Sequence, residues 1–105
     1  MKKIQHSFEA FETGCYTAFF DAIDEMIFIK DDELRYVFAN HALLDFFKRK
    51  NSAFLGKKDS DLMDASHAKA CENSDKIALQ EQKTVMHYET IGERIYQTRK
   101  FPFQF

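Results

Sequence analysis

The chain of 105 residues has no tryptophan, one proline, three glycines and two cysteines. Two cysteines are too few for a disulfide framework, and Cys15 and Cys71 match no paired-cysteine metal motif. Three isolated glycines exclude a glycine-rich phosphate loop. There are no low-complexity tracts or linkers, and the length predicts one domain.

A surplus of basic charge and a long apolar run are also missing. The net charge is −2, so nothing indicates a surface for a phosphate backbone and we expect no nucleic-acid partner. The apolar runs are far shorter than the roughly 20 residues of a membrane span. The basic start, Met1-Lys2-Lys3, is not followed by the apolar stretch of a signal peptide. We therefore expect a cytoplasmic segment, without a membrane span and with free thiols.

Aromatic residues are abundant, with twelve Phe and four Tyr. Phe brings a large apolar area without a polar atom that needs a partner. Such a composition predicts either a densely filled core or a core built around a flat apolar cavity.

Residues 4–23 show helical spacing, in which Ile4, Phe8 and Phe11 begin a stripe with steps of four and three. Gly14 is unfavourable inside a helix, so the segment is one kinked helix or two short ones. The stripe fits a helix that packs on its own domain, and the alternative is the seam of a dimer.

The rest of the chain alternates between strand and helix patterns. Residues 26–30 and 34–39 predict a hairpin, after which Asn40 is a favoured helix N-cap. Asp59-Ser60-Asp61 is suited to cap a single turn, and residues 66–82 predict a long helix. Residues 84–91 and 94–105 predict a second hairpin that turns at Gly92. Two hairpins around a helical middle predict an α+β domain, an antiparallel sheet with helices on one face.

Four segments in this order resemble a PAS domain, and the similarity spans residues 19 to 105. They are Phe19 to Asp31 (FFDAIDEMIFIKD), Leu34 to Ala42 (LRYVFANHA), Gly56 to Leu62 (GKKDSDL) and Thr84 to Pro102. The resemblance implies a five-stranded antiparallel sheet around a pocket with helices across its mouth. It implies a module for ligand sensing, signal relay or dimerisation, attached to a histidine kinase, diguanylate cyclase, phosphodiesterase or transcription regulator.

The resemblance also sets the expected domain limits. Residues 1–18 form a helical extension, and residues 19–105 form the PAS core. The family's last strand and its exit to the output domain do not follow Phe105, so we expect a core that is incomplete at its C-terminal end.

We expect a small organic ligand or metabolite in an apolar pocket with a few polar side chains. The predicted lining residues are Phe28, Phe38, Phe47, His67, Cys71, Met86, Tyr88, Tyr96 and Thr98. Structural roles are predicted for Asp31 through an Asx turn, for Asn40 as a helix cap and for Gly56.

Cofactors are harder to predict. His67 and Cys71 are four residues apart on one helix face, but two ligands do not make a metal site and we assign no metal. Axial binding of haem by His67 is an open alternative, because some PAS-like domains hold haem through a His on the long helix. The Asn-Cys-Arg segment of light-sensing flavin domains has no counterpart here.

No catalytic constellation is visible, because no Ser lies in a nucleophile motif. We therefore expect a binding module and not an enzyme, although the parent protein could be a histidine kinase or diguanylate cyclase. The alternative is a ligand-free dimerisation module that pairs through the N-terminal helix. A small cone-shaped isomerase is a more distant alternative, since it needs a buried carboxylate or His in a cavity.

Overall fold

Residues 14–91 and 93–103 are described by a computed structural model, and they divide into two units. Unit one contains residues 14–30 and 36–56, and unit two contains residues 31–35, 57–91 and 93–103. The predicted dimer stripe at Ile4, Phe8 and Phe11 and the turn at Gly92 lie outside the described residues. The domain boundary predicted at residue 18 stays a prediction.

Unit one holds the first predicted hairpin. Residues 14–21 are helical. Strand β1 (Phe28–Lys30) pairs antiparallel with β2 (Tyr36–Ala39), and helices α1 (His41–Phe47) and α2 (Asn51–Phe54) follow. Both strands are shorter than predicted, and their register shifts between Ile29 and Lys30.

Aromatic rings form the core of unit one. Phe54 is fully buried and lies edge-on to Tyr36, with ring centroids 4.6 Å apart. Phe47 meets Phe54 at 5.7 Å and Phe28 meets Tyr36 at 5.7 Å. Leu43 of α1 is buried with them. The Phe-rich composition therefore fills a core in this unit.

Unit two holds the long helix and the second hairpin. A single turn, α3 (Asp59–Leu62), precedes α4 (Ala65–Glu81), and strands β3 (Val85–Ile91) and β4 (Arg94–Lys100) pair antiparallel through seven residue pairs. The predicted single turn and the predicted long helix are confirmed. Strand β4 ends at Lys100, not at residue 105, because Pro102 has no N–H with which to extend the ladder.

The fold class is confirmed as α+β with antiparallel pairing. Each described hairpin is hydrogen-bonded as a sheet of two strands, where the sequence predicts strands of one larger sheet. Within the described residues, no helix is long and apolar enough to cross a membrane.

Candidate functional site

Asn40 holds together the segment that leads into the first hairpin of unit one. Its Oδ1 accepts hydrogen bonds from the N–H of Ile27 at 2.9 Å and of Leu43 at 3.2 Å. Its Nδ2 donates to the carbonyls of Glu25 at 2.8 Å and Phe20 at 3.0 Å. The side chain is fully buried, so it caps α1 and satisfies backbone groups, which is a structural role.

Asp31 and Gly56 also have roles in shaping the backbone. Asp31 Oδ1 accepts from the N–H of Glu33 and of Arg35, both at 3.0 Å, which closes an Asx turn. Gly56 has φ +78°, and its N–H donates to the carbonyl of Tyr36 at 2.8 Å. A positive φ is unfavourable for residues with a Cβ, so this turn requires glycine.

The inward face of the β3–β4 hairpin, which packs against α4, is unexpectedly polar. Alternate residues of each strand point inward and are buried or half-buried, while their neighbours are exposed. The inward residues are Val85, His87, Glu89, Tyr96, Thr98 and Lys100.

Cys71 of α4 meets this face. Its Sγ donates to Glu89 Oε1 at 2.9 Å, and His87 Nε2 lies 3.4 Å from the same oxygen. Burial raises the pKa of the Cys71 thiol to about 12, and the hydrogen bond and negative charge of Glu89 add to the effect. The thiol therefore keeps its proton at neutral pH. We refer to Cys71, His87 and Glu89 as the thiol cluster.

Lys100 brings a buried charge to the same face. Its Nζ lies 2.8 Å from Asp75 Oδ1, and it donates to Ser74 Oγ at 2.7 Å and to the carbonyl of Cys71 at 3.2 Å. The Lys100 and Asp75 side chains are only 5% and 7% exposed. Buried charges persist when they are paired and hydrogen-bonded, so this pair ties the end of β4 to the middle of α4.

His67 lies at the start of α4, outside the thiol cluster. Its Nδ1 contacts the Asp64 carboxylate, and its Nε2 lies 3.0 Å from the carbonyl of Thr90. Both partners accept hydrogen bonds, so the two contacts together require a proton on each ring nitrogen, which is the cationic form of the ring. The Asp64 hydrogen bond accordingly raises the pKa of His67. Haem ligation by His67, which stays a prediction, would require one of these contacts to break.

One family model, described as PAS fold, matches residues 20–104 of the chain. The chain belongs to the PAS-fold family. No curated protein and no solved structure matches it. The family relationship indicates a sensory or signalling domain, since PAS domains are in general sensory and not catalytic.

The PAS domain distributes the nine predicted lining residues over different places. Phe28, Phe38 and Phe47 belong to unit one, where Phe38 lies 5.6 Å from Phe20. Phe38 also borders an open groove of about 200 Å³ that lies within unit one. Whether any of the nine binds a ligand stays a prediction.

Unit two separates the remaining lining residues by strand face. Tyr96 and Thr98 point inward, whereas Met86 and Tyr88 are 42% and 63% exposed on the outward face. Met86 and Tyr88 therefore do not share a strand face with Tyr96 and Thr98. The register pairs Met86 and Tyr88 with the outward-facing Arg99 and Gln97, and Tyr88 Oη accepts a hydrogen bond from Gln97 Nε2.

The sequence of the PAS domain did not lead us to expect a polar inward face on the β3–β4 hairpin. Helical spacing places Cys71 beside His67, but the structure brings Cys71 to His87 and Glu89 instead. The two-residue spacing of His87 and Glu89 is the signal that places them on one strand face. A nearby depression, lined by Asp59, Ala68 and Glu72 among others, measures about 30 Å³, room for a water molecule and not for an organic metabolite.

Proposed function

We propose that the chain is the sensory input domain of a cytoplasmic signalling protein of bacterial type. In this proposal a small ligand binds on the inward face of the β3–β4 hairpin, against α4, and the change is relayed to an output domain such as a histidine kinase or diguanylate cyclase. The observation that carries the proposal is the set of buried and half-buried polar side chains on this face.

The energetic argument starts from the cost of burying polar groups. A core that only had to be stable would be apolar here, because buried polar atoms without full hydrogen bonding cost free energy. The contact between this face and α4 instead holds a thiol and a carboxylate from the helix, and an imidazole, a carboxylate and an ammonium group from the hairpin. Buried and half-buried titratable groups gathered around a thiol whose pKa burial raises are typical of functional sites. They favour a small polar ligand or ion over the small organic ligand in an apolar pocket that the sequence predicts.

Signal relay would follow from the two elements that hold this face. A ligand that contacts both α4 and the hairpin binds best to one arrangement of the two, and so shifts the population toward it. The Lys100–Asp75 pair joins the same two elements. A change in how α4 packs on the hairpin would therefore also change this ion pair.

The test is a search for the ligand with matched variants. The purified protein is examined by native mass spectrometry, and a library of small polar ligands and ions is screened by thermal shift. Glu89→Gln on the inward face should weaken the binding of any hit roughly tenfold or more, and Tyr88→Phe on the outward face of the same strand should keep it. A protein that binds nothing in either assay would contradict the proposal.

A ligand-free dimerisation module is the second candidate. Within the helical residues 14–21, Tyr16 is 59% exposed and Phe19 is 62% exposed, which leaves aromatic surface for a second copy. Phe8→Glu or Phe19→Glu should then convert a dimer, measured by light scattering, into a monomer. A wild-type protein that is monomeric at high concentration would contradict this candidate.

A further inference from the structure

The thiol cluster combines three kinds of metal ligand. Cys71 offers a sulfur, His87 a ring nitrogen and Glu89 a carboxylate oxygen, and these atoms all lie within 4.8 Å of one another. They come from α4 and from one face of β3, so the packing of a helix on a hairpin assembles them. None of the three is needed for the Lys100–Asp75 pair.

His87 supplies a second, independent observation. Its Nε2 is buried and has no hydrogen-bond partner among the described residues, although Glu89 Oε1 lies 3.4 Å away. A buried polar atom without a partner costs free energy, and such an atom in a native structure indicates a missing water or ion. This atom lies at the cluster itself.

We propose that Cys71, His87 and Glu89 bind a divalent transition-metal ion of the zinc type. The inference deepens the proposed function, on which it rests, because it names the class of ligand for the same face of the hairpin.

The cluster is close to the geometry that zinc requires. Zinc bonds of about 2.0 to 2.3 Å to N, O and S in a tetrahedron place the ligand atoms roughly 3.3 to 3.6 Å apart. The observed separations are 2.9 Å for Cys71 Sγ to Glu89 Oε1 and 3.4 Å for His87 Nε2 to Glu89 Oε1. A shift of less than an ångström between thiol and carboxylate brings that pair to the spacing of zinc ligands, and Cys71 Sγ lies within 4.8 Å of a ring nitrogen of His87.

The charges of the cluster also balance such an ion. Metal binding replaces the thiol proton of Cys71, which passes to solvent, and the thiolate and the Glu89 carboxylate together carry two negative charges. Lys100 faces Cys71 from β4 but is paired with Asp75, and Asp59 adds a negative charge from α3. The charges of the Cys71 thiolate and the Glu89 carboxylate are therefore available to balance a divalent cation.

The ligand types decide the class of metal. Mg²⁺ and Ca²⁺ prefer oxygen ligands throughout, whereas a thiolate with an imidazole suits zinc, cobalt and their neighbours. Three protein ligands leave a fourth position of the tetrahedron for a water or an anion. The proposed sensory role would then respond to the metal itself or to a small molecule bound to it.

Cobalt(II) is the probe for the test, because a thiolate–cobalt bond has its own absorption band. The chelator-treated 105-residue protein is titrated with Co²⁺ under reducing conditions. We expect one Co²⁺ per chain with a thiolate-to-cobalt band, and displacement by Zn²⁺. Cys71→Ser should abolish the band. His87→Gln and Glu89→Gln should each weaken binding roughly tenfold or more, since even outer contacts of metal ligands are worth that much.

Matched controls use side chains outside the cluster. Cys15→Ser removes the other cysteine and His67→Gln removes a histidine from the start of α4, and both should leave the Co²⁺ affinity unchanged. If a cluster variant fails to fold by circular dichroism, alkylation of wild-type Cys71 provides the readout, since Zn²⁺ should protect the thiol by at least tenfold.

The inference is overturned if Co²⁺ and Zn²⁺ do not bind at one per chain, or if Cys71→Ser binds them as the wild type does. In that case an organic ligand sensitive to Glu89→Gln would leave the proposed function standing. Only a protein that binds neither metal nor organic ligand would remove both.

Discussion

At the scale of single residues, the side chain of Asn40 shows how many backbone groups one residue can satisfy. It accepts from two backbone N–H groups and donates to backbone carbonyls of Phe20 and Glu25, in a fully buried position. A hydrophobic residue at this position would leave those groups without partners. These hydrogen bonds help to fix the segment before β1, which lies outside any strand or helix.

Asn40→Ala is expected to lower the free energy of unfolding by roughly 3 kcal/mol or more, since a lost cap costs about 1 kcal/mol and stranded buried groups cost more. Urea unfolding followed by circular dichroism measures the change. Asn40→Asp keeps the acceptor but loses the donor, so its loss should be intermediate. An Ala variant as stable as the wild type would refute the structural role of Asn40.

The two cysteines should differ in reactivity, because Cys15 is exposed and Cys71 is buried. The thiolate is the reactive form, and with a pKa of about 12 Cys71 is ionised in about one molecule in ten thousand at pH 8. We expect iodoacetamide to modify Cys15 at least tenfold faster, as measured by mass spectrometry of the metal-free protein. In guanidinium chloride both should react alike, and equal rates in buffer would contradict the described burial.

At the scale of elements, α4 begins with a charged pair that depends on pH. Asp64 accepts from the backbone N–H of Ser66 and His67, and its carboxylate contacts the His67 ring. The His67 hydrogen bond lowers the pKa of Asp64 far below its usual value of 3.8. The same contact raises the pKa of His67 from its usual 6.5.

The sign of each shift defines the pH window of the pair. The raised pKa of His67 stabilises the fold fully below pH 6.5, and this stabilisation is lost as the pH rises through the folded value. The lowered pKa of Asp64 stabilises the fold above pH 3.8, and this is lost at lower pH. The stability difference between wild type and His67→Gln should therefore be largest between these values and shrink toward pH 8. Urea unfolding across this range measures it, and a flat difference would contradict the pair.

Strand β4 and helix α4 are joined by the Lys100–Asp75 pair. Removing one partner from a buried ion pair costs about 3 to 5 kcal/mol, because the other charge stays buried. We expect Lys100→Met to lower the free energy of unfolding by about that much, as measured in urea. Lys76→Met is the matched control, since Lys76 pairs with Glu72 on the exposed side of α4 and such pairs contribute about 0 to 1 kcal/mol. Equal losses of free energy of unfolding in the two variants would contradict a stabilising role of the Lys100–Asp75 pair.

Local patterns were enough to predict these elements. The alternation around residues 34–39 and 84–91 predicted both hairpins, Asn40 predicted where α1 begins, and Asp59-Ser60-Asp61 predicted the single turn α3. The end of β4 was predicted too late because the pattern of residues 101–105 still resembles a strand, although Pro102 cannot continue a ladder.

The site was harder to predict for a physical reason. Alternation shows that His87 and Glu89 share a face, but not which face of β3 packs on α4. Burial of apolar side chains would favour Met86 and Tyr88 inside, and the structure has the opposite arrangement. Lys100 lies opposite Val85 on the inward face and pairs with Asp75 of α4. This contact joins residues 25 positions apart in the chain, so a local sequence pattern does not show which strand face packs on the helix.

At the scale of the whole molecule, the chain matches the PAS fold over residues 20–104 and has polar ligand-type side chains between α4 and the β3–β4 hairpin. We therefore expect its free energy of unfolding to depend on what it binds. A ligand that binds only the folded chain adds RT ln(1 + [L]/Kd) to the free energy of unfolding, about 2.7 kcal/mol at a hundred times Kd. The size of that shift is a property of the entire folding equilibrium and not of one contact.

Zinc should therefore raise the melting temperature of the chelator-treated protein by roughly 10 °C or more at that concentration, because about 1 kcal/mol corresponds to 4–8 °C in a domain of this size. The rise should grow with the logarithm of free zinc, which separates specific binding from a saturating surface effect. Cys71→Ser should melt at one temperature with and without zinc, and Cys15→Ser should follow the wild type. A wild-type melting temperature that zinc leaves unchanged would show that the folded state binds no metal, and the inward face of the hairpin would then have to be explained by an organic ligand.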